Sequence, residues 1–213
     1  MKSIFLSLVV LVAAMLAPHP ALATEQEDFE AAKAAYRSKD YTQSIRLFTA
    51  LANNGHMSAQ VKLGRIYDIG FAVPKNDLEA MKWYRMAADQ GSAQAQYFLG
   101  HIYQYGQIPS PDADEAMVWY KKAAEHGFLD AQIALGNTYL MGTGVEQSYA
   151  RARRWLKPAA EQGDVDSAYN LGLLYLKGLG GPNDYDKGLA WTKKAAAKGS
   201  TDAREVLQIL GEK

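Results

Sequence analysis

The 213-residue sequence contains no cysteine. That excludes disulfide bridges, thiolate metal sites, a cysteine nucleophile and the lipoprotein type of export signal. Nor is there an excess of charge, since 23 basic side chains stand against 23 acidic ones. A balanced chain has no long-range attraction for nucleic acid or for an anionic membrane surface. Long apolar runs are scarce as well. Ile4 to Leu16 is about 13 residues, too short for a spanning helix of roughly 20. No Walker loop, nucleophile motif or paired-histidine metal signature is present. The sequence therefore offers no catalytic residue, cofactor site or metal site.

What the short apolar run does fit is a secretory signal. Lys2 precedes it, Ser7 is its one polar interruption, and Pro18 and Pro20 follow, where they are expected to break any helix. Ala21-Leu22-Ala23 then supplies small residues at the positions a signal peptidase reads. The expectation is a leader over residues 1–23, its cleavage, and a mature chain from Thr24 to Lys213 in the periplasm or outside the cell. The mature chain has no spanning segment left, and its 190 residues suffice for a core without disulfides.

The rest of the chain is dominated by a 36-residue period. Leu63-Gly64, Leu99-Gly100, Leu135-Gly136 and Leu171-Gly172 follow one another at that interval. Tyr67, Tyr103, Tyr139 and Tyr175 keep it, as do Trp83, Trp119, Trp155 and Trp191, and the glycines from Gly55 to Gly199. Each unit reads as two helices. The first, over about 58–69 in the opening copy, has apolar residues at helical spacing and stops at Gly70, repeated as Gly106, Gly142 and Gly178. A left-handed glycine is expected at each of these ends. The second helix begins after Asn76, Asp112, Ser148 and Asp184, all good N-caps, and Glu79 and Glu115 complete capping boxes in two copies. Gly64 and its equivalents imply a close helix approach, with Ala80, Ala116, Ala152 and Gly188 as the small partners. The tryptophans and tyrosines are expected to fill the wider gaps between units, since no unit can bury its apolar face alone. Pro158, inside the third second-helix, is expected to bend it.

Both ends suggest a capped array, and hence a monomer. Residues 24–56 hold an atypical helix pair, with Phe29, Ala32, Ala35 and Tyr36 before a turn at Ser38-Lys39-Asp40, and Tyr41, Ile45, Phe48 and Leu51 after it. Residues 57–200 hold the four regular copies. Residues 201–213 hold a lone closing helix and a tail, Gly211-Glu212-Lys213, expected to fray.

The motif A-x-x-x-L-G-x-x-Y-x-x-G followed by A-x-x-W-Y-x-x-A-A-x-x-G resembles the Sel1-like repeat, a relative of the tetratricopeptide repeat. The resemblance covers Ser58 to Gly199, and the first pair looks more like a tetratricopeptide unit. It implies an all-α, right-handed α/α solenoid of antiparallel helix pairs, with a concave surface lined mainly by the first helices. It also implies an adaptor or assembly platform. Exported bacterial members are associated with envelope assembly, host interaction and toxin neutralisation.

On this reading the packing positions repeat, and the partner is read by those that do not. On the first helices these are Arg65, His101, Asn137 and Leu173, and nearer the helix ends Asp68, Gln104, Tyr105 and Met141. Ordinary surface variation is the competing explanation. The implied partner is another protein, an envelope component or a secreted toxin. The alternatives are a glycan-binding module and, further off, a cell-wall or polysaccharide hydrolase. His56 and His126 flank inter-repeat glycines and read as plain turn residues. The clusters Lys121-Lys122, Arg151 with Arg153, Arg154 and Lys157, and Lys193-Lys194 with Lys198 read as a solvated outer face.

Overall fold

Alternating close-packed pairs of helices, each 13 residues or nearly so, account for most of the chain. The computed structural model describes residues 20–212, so the expected leader, 1–23, lies almost wholly outside the described residues. The helices are α1 (Pro20–Arg37), α2 (Tyr41–Asn53), α3 (Met57–Ile69), α4 (Asp77–Asp89), α5 (Ala93–Tyr105) and α6 (Ala113–Glu125). They continue as α7 (Leu129–Met141), α8 (Tyr149–Glu161), α9 (Val165–Leu176), α10 (Tyr185–Ala197) and α11 (Thr201–Ile209). Every helix packs on its neighbours in sequence, most extensively within the pairs α3·α4, α5·α6, α7·α8 and α9·α10. The result is an all-α solenoid with the 36-residue repeat. Pro20 is the first residue of α1, where its missing N–H would have had no partner within the helix.

The glycine inside each first helix lies directly under a side chain of its partner. A β-carbon on Gly64 would stand 2.5 Å from two ring carbons of Tyr84. On Gly136 it would meet Leu156 at 2.5 Å, and on Gly172 the Thr192 hydroxyl at 2.5 Å. At Gly64 and Gly136 the partner is thus the residue one turn beyond Ala80 and Ala152, not those small residues themselves, whereas at Gly172 the Gly188 carbonyl, at 3.1 Å, contributes beside Thr192. At Gly100 both contribute, with the Ala116 carbonyl and the Tyr120 ring each at 3.0 Å. Tyr84, Leu156 and Thr192 are fully buried by this contact.

The second helices start where expected. Asn76, Asp112, Ser148 and Asp184 accept from the N–H three residues on, at 3.0, 2.9, 3.4 and 3.0 Å. The expected capping boxes do not close, because the cap N–H is already used. In all four repeats it donates to the carbonyl of the repeat tyrosine: Asn76 to Tyr67, Asp112 to Tyr103, Ser148 to Tyr139 and Asp184 to Tyr175, at 2.8–3.2 Å. That bond locks each hairpin without a glutamate, which is why Arg151 and Lys187 serve equally well there. Glu115 instead accepts from the Trp119 indole at 2.8 Å.

The first-helix ends differ from expectation at one copy. Gly70, Gly142 and Gly178 are left-handed, but Gly106 is extended, at φ −70 and ψ 154. The stiff Ile108-Pro109-Ser110-Pro111 segment follows it, and a β-carbon there would collide with the Ile102 carbonyl at 2.5 Å. Helix α8 runs unbroken through Pro158. In the tail the Glu212 N–H donates to the Leu207 carbonyl at 2.9 Å and its carboxylate accepts from Lys193 at 2.8 Å, while Lys213 lies outside the described residues.

A polar ladder joins the units. Gln60, Gln96 and Gln132, 36 residues apart and buried, donate to the carbonyls of Ala52, Ala88 and Ala124 in the preceding second helix. Their own carbonyls take Gln90, His126 and Gln162 at 2.6–2.8 Å. His126 is therefore a rung of this ladder rather than a plain turn residue. His56 caps α3, accepting from the Ala59 N–H at 3.1 Å, and stacks on Phe29 at 4.6 Å. The outer cations are only partly solvated. Lys122 and Lys194 lie over the Trp119 and Trp191 rings, and Arg153 donates to the carbonyls of Leu174 and Pro182.

Two substitutions probe these contacts. Gly64→Ala gains about 1 kcal/mol of helix propensity but overpacks a rigid buried ring at about 1–3 kcal/mol; urea denaturation is expected to show a net loss. Gln132→Leu removes both rungs and strands buried polar groups, for an expected loss of about 1–3 kcal/mol in the same assay.

Candidate functional site

Tyr97, His101, Gln104 and Tyr105 recur along α5 at helical spacing, so they share one face. On α7, Ala134 and Thr138 lie one turn apart. Between these two first helices is a hollow of about 460 Å³. Its lining is completed by residues of α6, among them Met117 and Tyr120, and by the 143–145 turn.

Three tyrosines line the hollow among small and neutral residues, and no Asp, Glu, Lys or Arg does. Tyr97 packs against Tyr120 at 5.5 Å and Phe128 at 5.2 Å. Burial, with nearby Asp130 and Tyr105 adding to it, pushes the Tyr97 hydroxyl above its ordinary range. Burial does the same to Tyr120. Both phenols stay protonated and act as neutral hydrogen-bonding groups. His101 leans on Tyr105 at 5.0 Å, and Tyr105 remains 66% exposed. That arrangement offers a large amphipathic side chain held on a rigid helix beside a polar ring and an amide.

The structure brings three of the eight candidate residues together here, His101, Gln104 and Tyr105. Arg65 lines a different hollow, between α1 and α3, and its guanidinium lies 5.7 Å over the Phe98 ring. Asp68 is half-buried and accepts from the Tyr84 hydroxyl at 3.3 Å, an internal role. Asn137, Met141 and Leu173 line neither hollow; Met141 is 73% exposed at the end of α7, and Leu173 is half-buried on α9. The sequence reading missed Tyr97 and Tyr120. Tyr97 follows Val61 and precedes Ile133 in its 36-residue series, and that change from aliphatic to aromatic was the available signal.

The Sel1 repeat model matches residues 33–56, 58–92, 93–128, 129–164 and 165–200. The chain belongs to the Sel1 repeat family. The first matched span falls within the α1–α2 pair, so the family pattern extends into the unit that lacks the Leu-Gly pair. A Sel1 repeat protein from Oxalobacter formigenes is 34% identical, with a TM-score of 0.71 over 79% of this chain and 49% of that one. A protective antigen of uropathogenic Escherichia coli strains with the SLR fold is also 34% identical, with a TM-score of 0.76 over 84% of this chain and 39% of that one. The present chain thus spans half or less of these two relatives. An immunity protein from Pseudomonas aeruginosa, 22% identical over 88% of this chain and 70% of its own, shares the fold at a TM-score of 0.51. No curated protein matches the sequence.

Among the described residues no helix is long and apolar enough to cross a membrane. No group of three or more histidine and acidic side chains among them could hold a metal ion.

Asp68 gives a pH prediction. Burial, and then the Asp77 carboxylate, raise its pKa in the folded state. Stability therefore falls as pH rises from the unfolded value of about 3.9 through the raised folded value, and the penalty persists above it. Asp68→Asn keeps an acceptor for Tyr84 and removes the buried charge. It is expected to raise the thermal midpoint at pH 7 and to have no such effect below pH ~3.5.

Proposed function

We propose that the protein is an exported, non-catalytic scaffold that holds a partner protein on the face formed by its first helices. Its role is that of an envelope adaptor or of an immunity-type protein that neutralises a toxin. The observation that carries this reading is the hollow between α5 and α7, where the non-repeating His101, Gln104 and Tyr105 surround an exposed aromatic on a rigid support. Aromatic anchors of this kind carry a disproportionate share of binding energy at protein interfaces. A further fact supports it: both hollows described lie between the first helices of successive pairs.

Affinity capture from native envelope and secreted proteins, followed by titration of the captured partner, tests the proposal. The double variant H101A/Y105A is expected to weaken that partner at least tenfold, or about 1.4 kcal/mol, with the fold unchanged by circular dichroism. Unchanged affinity in that variant would discard the first-helix face. Protection against one effector supports the immunity form, whereas loss of a multiprotein complex on deletion supports the adaptor form. Saturable binding of an oligosaccharide by the same hollow, with no protein captured, would favour a glycan-binding module.

A further inference from the structure

The hollow between α1 and α3 differs in kind from the central one. It encloses about 330 Å³ and is lined by Lys33, Arg37, Lys62 and Arg65 together with Tyr36, Phe48, Ile66, Ile69 and Phe71. Four cations and no carboxylate line it, in a chain whose overall charge is balanced. Lys33 is engaged by Glu30 at 2.8 Å. Arg37 and Lys62 form no ion pair or hydrogen bond among the described residues, although Arg37 lies close enough to Glu30 to help lower its pKa; Arg65 lies over the Phe98 ring and acts electrostatically on the Tyr84 hydroxyl.

The apolar part is also unusual. Tyr36, Tyr41 and Phe71 form a mutual cluster, with ring centroids 4.9–5.8 Å apart. Yet Tyr36 and Phe71 remain 40% and 41% exposed, and Ile69 is 62% exposed. None of this is a property of the repeat. Lys62 is followed in its series by Phe98, Ala134 and Asn170, and Arg65 by His101, Asn137 and Leu173. Phe71 is followed by Gln107, Thr143 and Leu179. Of the hollows described, this one combines cations with exposed aromatics.

We infer that the α1–α3 hollow is a second docking site, for an acidic peptide segment of a protein partner that inserts one aromatic or large aliphatic side chain between its carboxylates. The enclosed volume accommodates a single side chain rather than a flat surface. Tyr36, Phe48 and Phe71 would receive that anchor, while Arg37, Lys62 and Arg65 neutralise the flanking carboxylates. Arginine suits this task because its planar fork can take a carboxylate through two N–H groups. The inference goes beyond the central hollow and does not depend on it, since the two share no lining residue.

The test titrates the purified protein with fluorescein-labelled hexapeptides. One set carries a central phenylalanine or leucine flanked on both sides by aspartates. A second set replaces the aspartates by asparagines, and a third replaces the central residue by serine. Saturable binding is expected for the first set alone, with affinity falling as salt screens the charges. K62A/R65A is expected to weaken it at least tenfold, and Phe71→Ala severalfold. H101A/Y105A, the central-hollow control, is expected to leave it unchanged, so the two proposals fail separately. Lys62 and Arg65 are exposed, and a circular dichroism melt is the check that their variants fold. Equal affinity for the three sets, no saturation for any of them, or unchanged affinity in K62A/R65A would overturn the inference. Binding to phosphatidylglycerol vesicles but not to the peptides, lost in the same variant, would overturn it in favour of a membrane surface.

Discussion

The close approach of two helices at a glycine is the contact on which the rest of this solenoid depends. At Gly64, Gly136 and Gly172 a partner side chain occupies the volume that a β-carbon would need. Tyr84, Leu156 and Thr192 are wholly buried at this approach, Tyr84 and Leu156 with the next repeat completing their cover. A glycine costs about 1 kcal/mol of helix propensity, and it is tolerated because the hairpin closes around it. Once closed, the hairpin places the repeat tyrosine carbonyl within reach of the next N-cap, and the same bond forms in all four repeats. One missing methyl group thus sets the spacing that both polar locks require.

Units of this kind cannot stand alone. Tyr67 packs against two successive core clusters, and Tyr103 and Tyr139 do the same further along. The buried glutamines then tie each first helix to the carbonyls of the preceding second helix. Apolar packing between units is non-directional, whereas the amide pairs are directional, so the ladder fixes the register in which repeats stack. At the fourth copy Ala168 replaces the glutamine, and Lys198 and Arg153 take over by reaching neighbouring carbonyls. The C-terminal half is held by longer, charged arms.

The period made most of this legible. Helix starts, the aromatic series and the position of the hairpin glycines follow from residues that recur every 36 positions. What escaped is what a period alone does not show. The glutamine series was present in the sequence, but a polar residue on a helix reads as solvent-facing until the preceding helix end is known to lie over it. The capping boxes failed for a similar reason: Glu79 and Glu115 were in place, but a tertiary carbonyl had already taken the N–H they would have used. Gly106 stands in the same column as three left-handed glycines, and its extended backbone could not be read from that column.

The candidate site was half legible, and the missing half is instructive. Non-repeating positions on first helices led to His101, Gln104 and Tyr105, which do share a hollow. The same rule led to Asp68, whose variation belongs to its bond with Tyr84, and it passed over Lys62, whose column runs Lys, Phe, Ala, Asn. Variation between repeats has two sources in a solenoid, partner contact and adjustment to an unequal neighbour. They separate only when exposure is known. Tyr105 varies and is exposed beside a hollow; Asp68 varies and is half-buried against a tyrosine that its own repeat supplies. The first-helix face therefore carries two chemically different hollows, one neutral and aromatic and one cationic. A single extended partner that filled both would need a neutral aromatic-binding stretch and an acidic stretch in fixed order, a requirement that a chain of random surface would rarely meet.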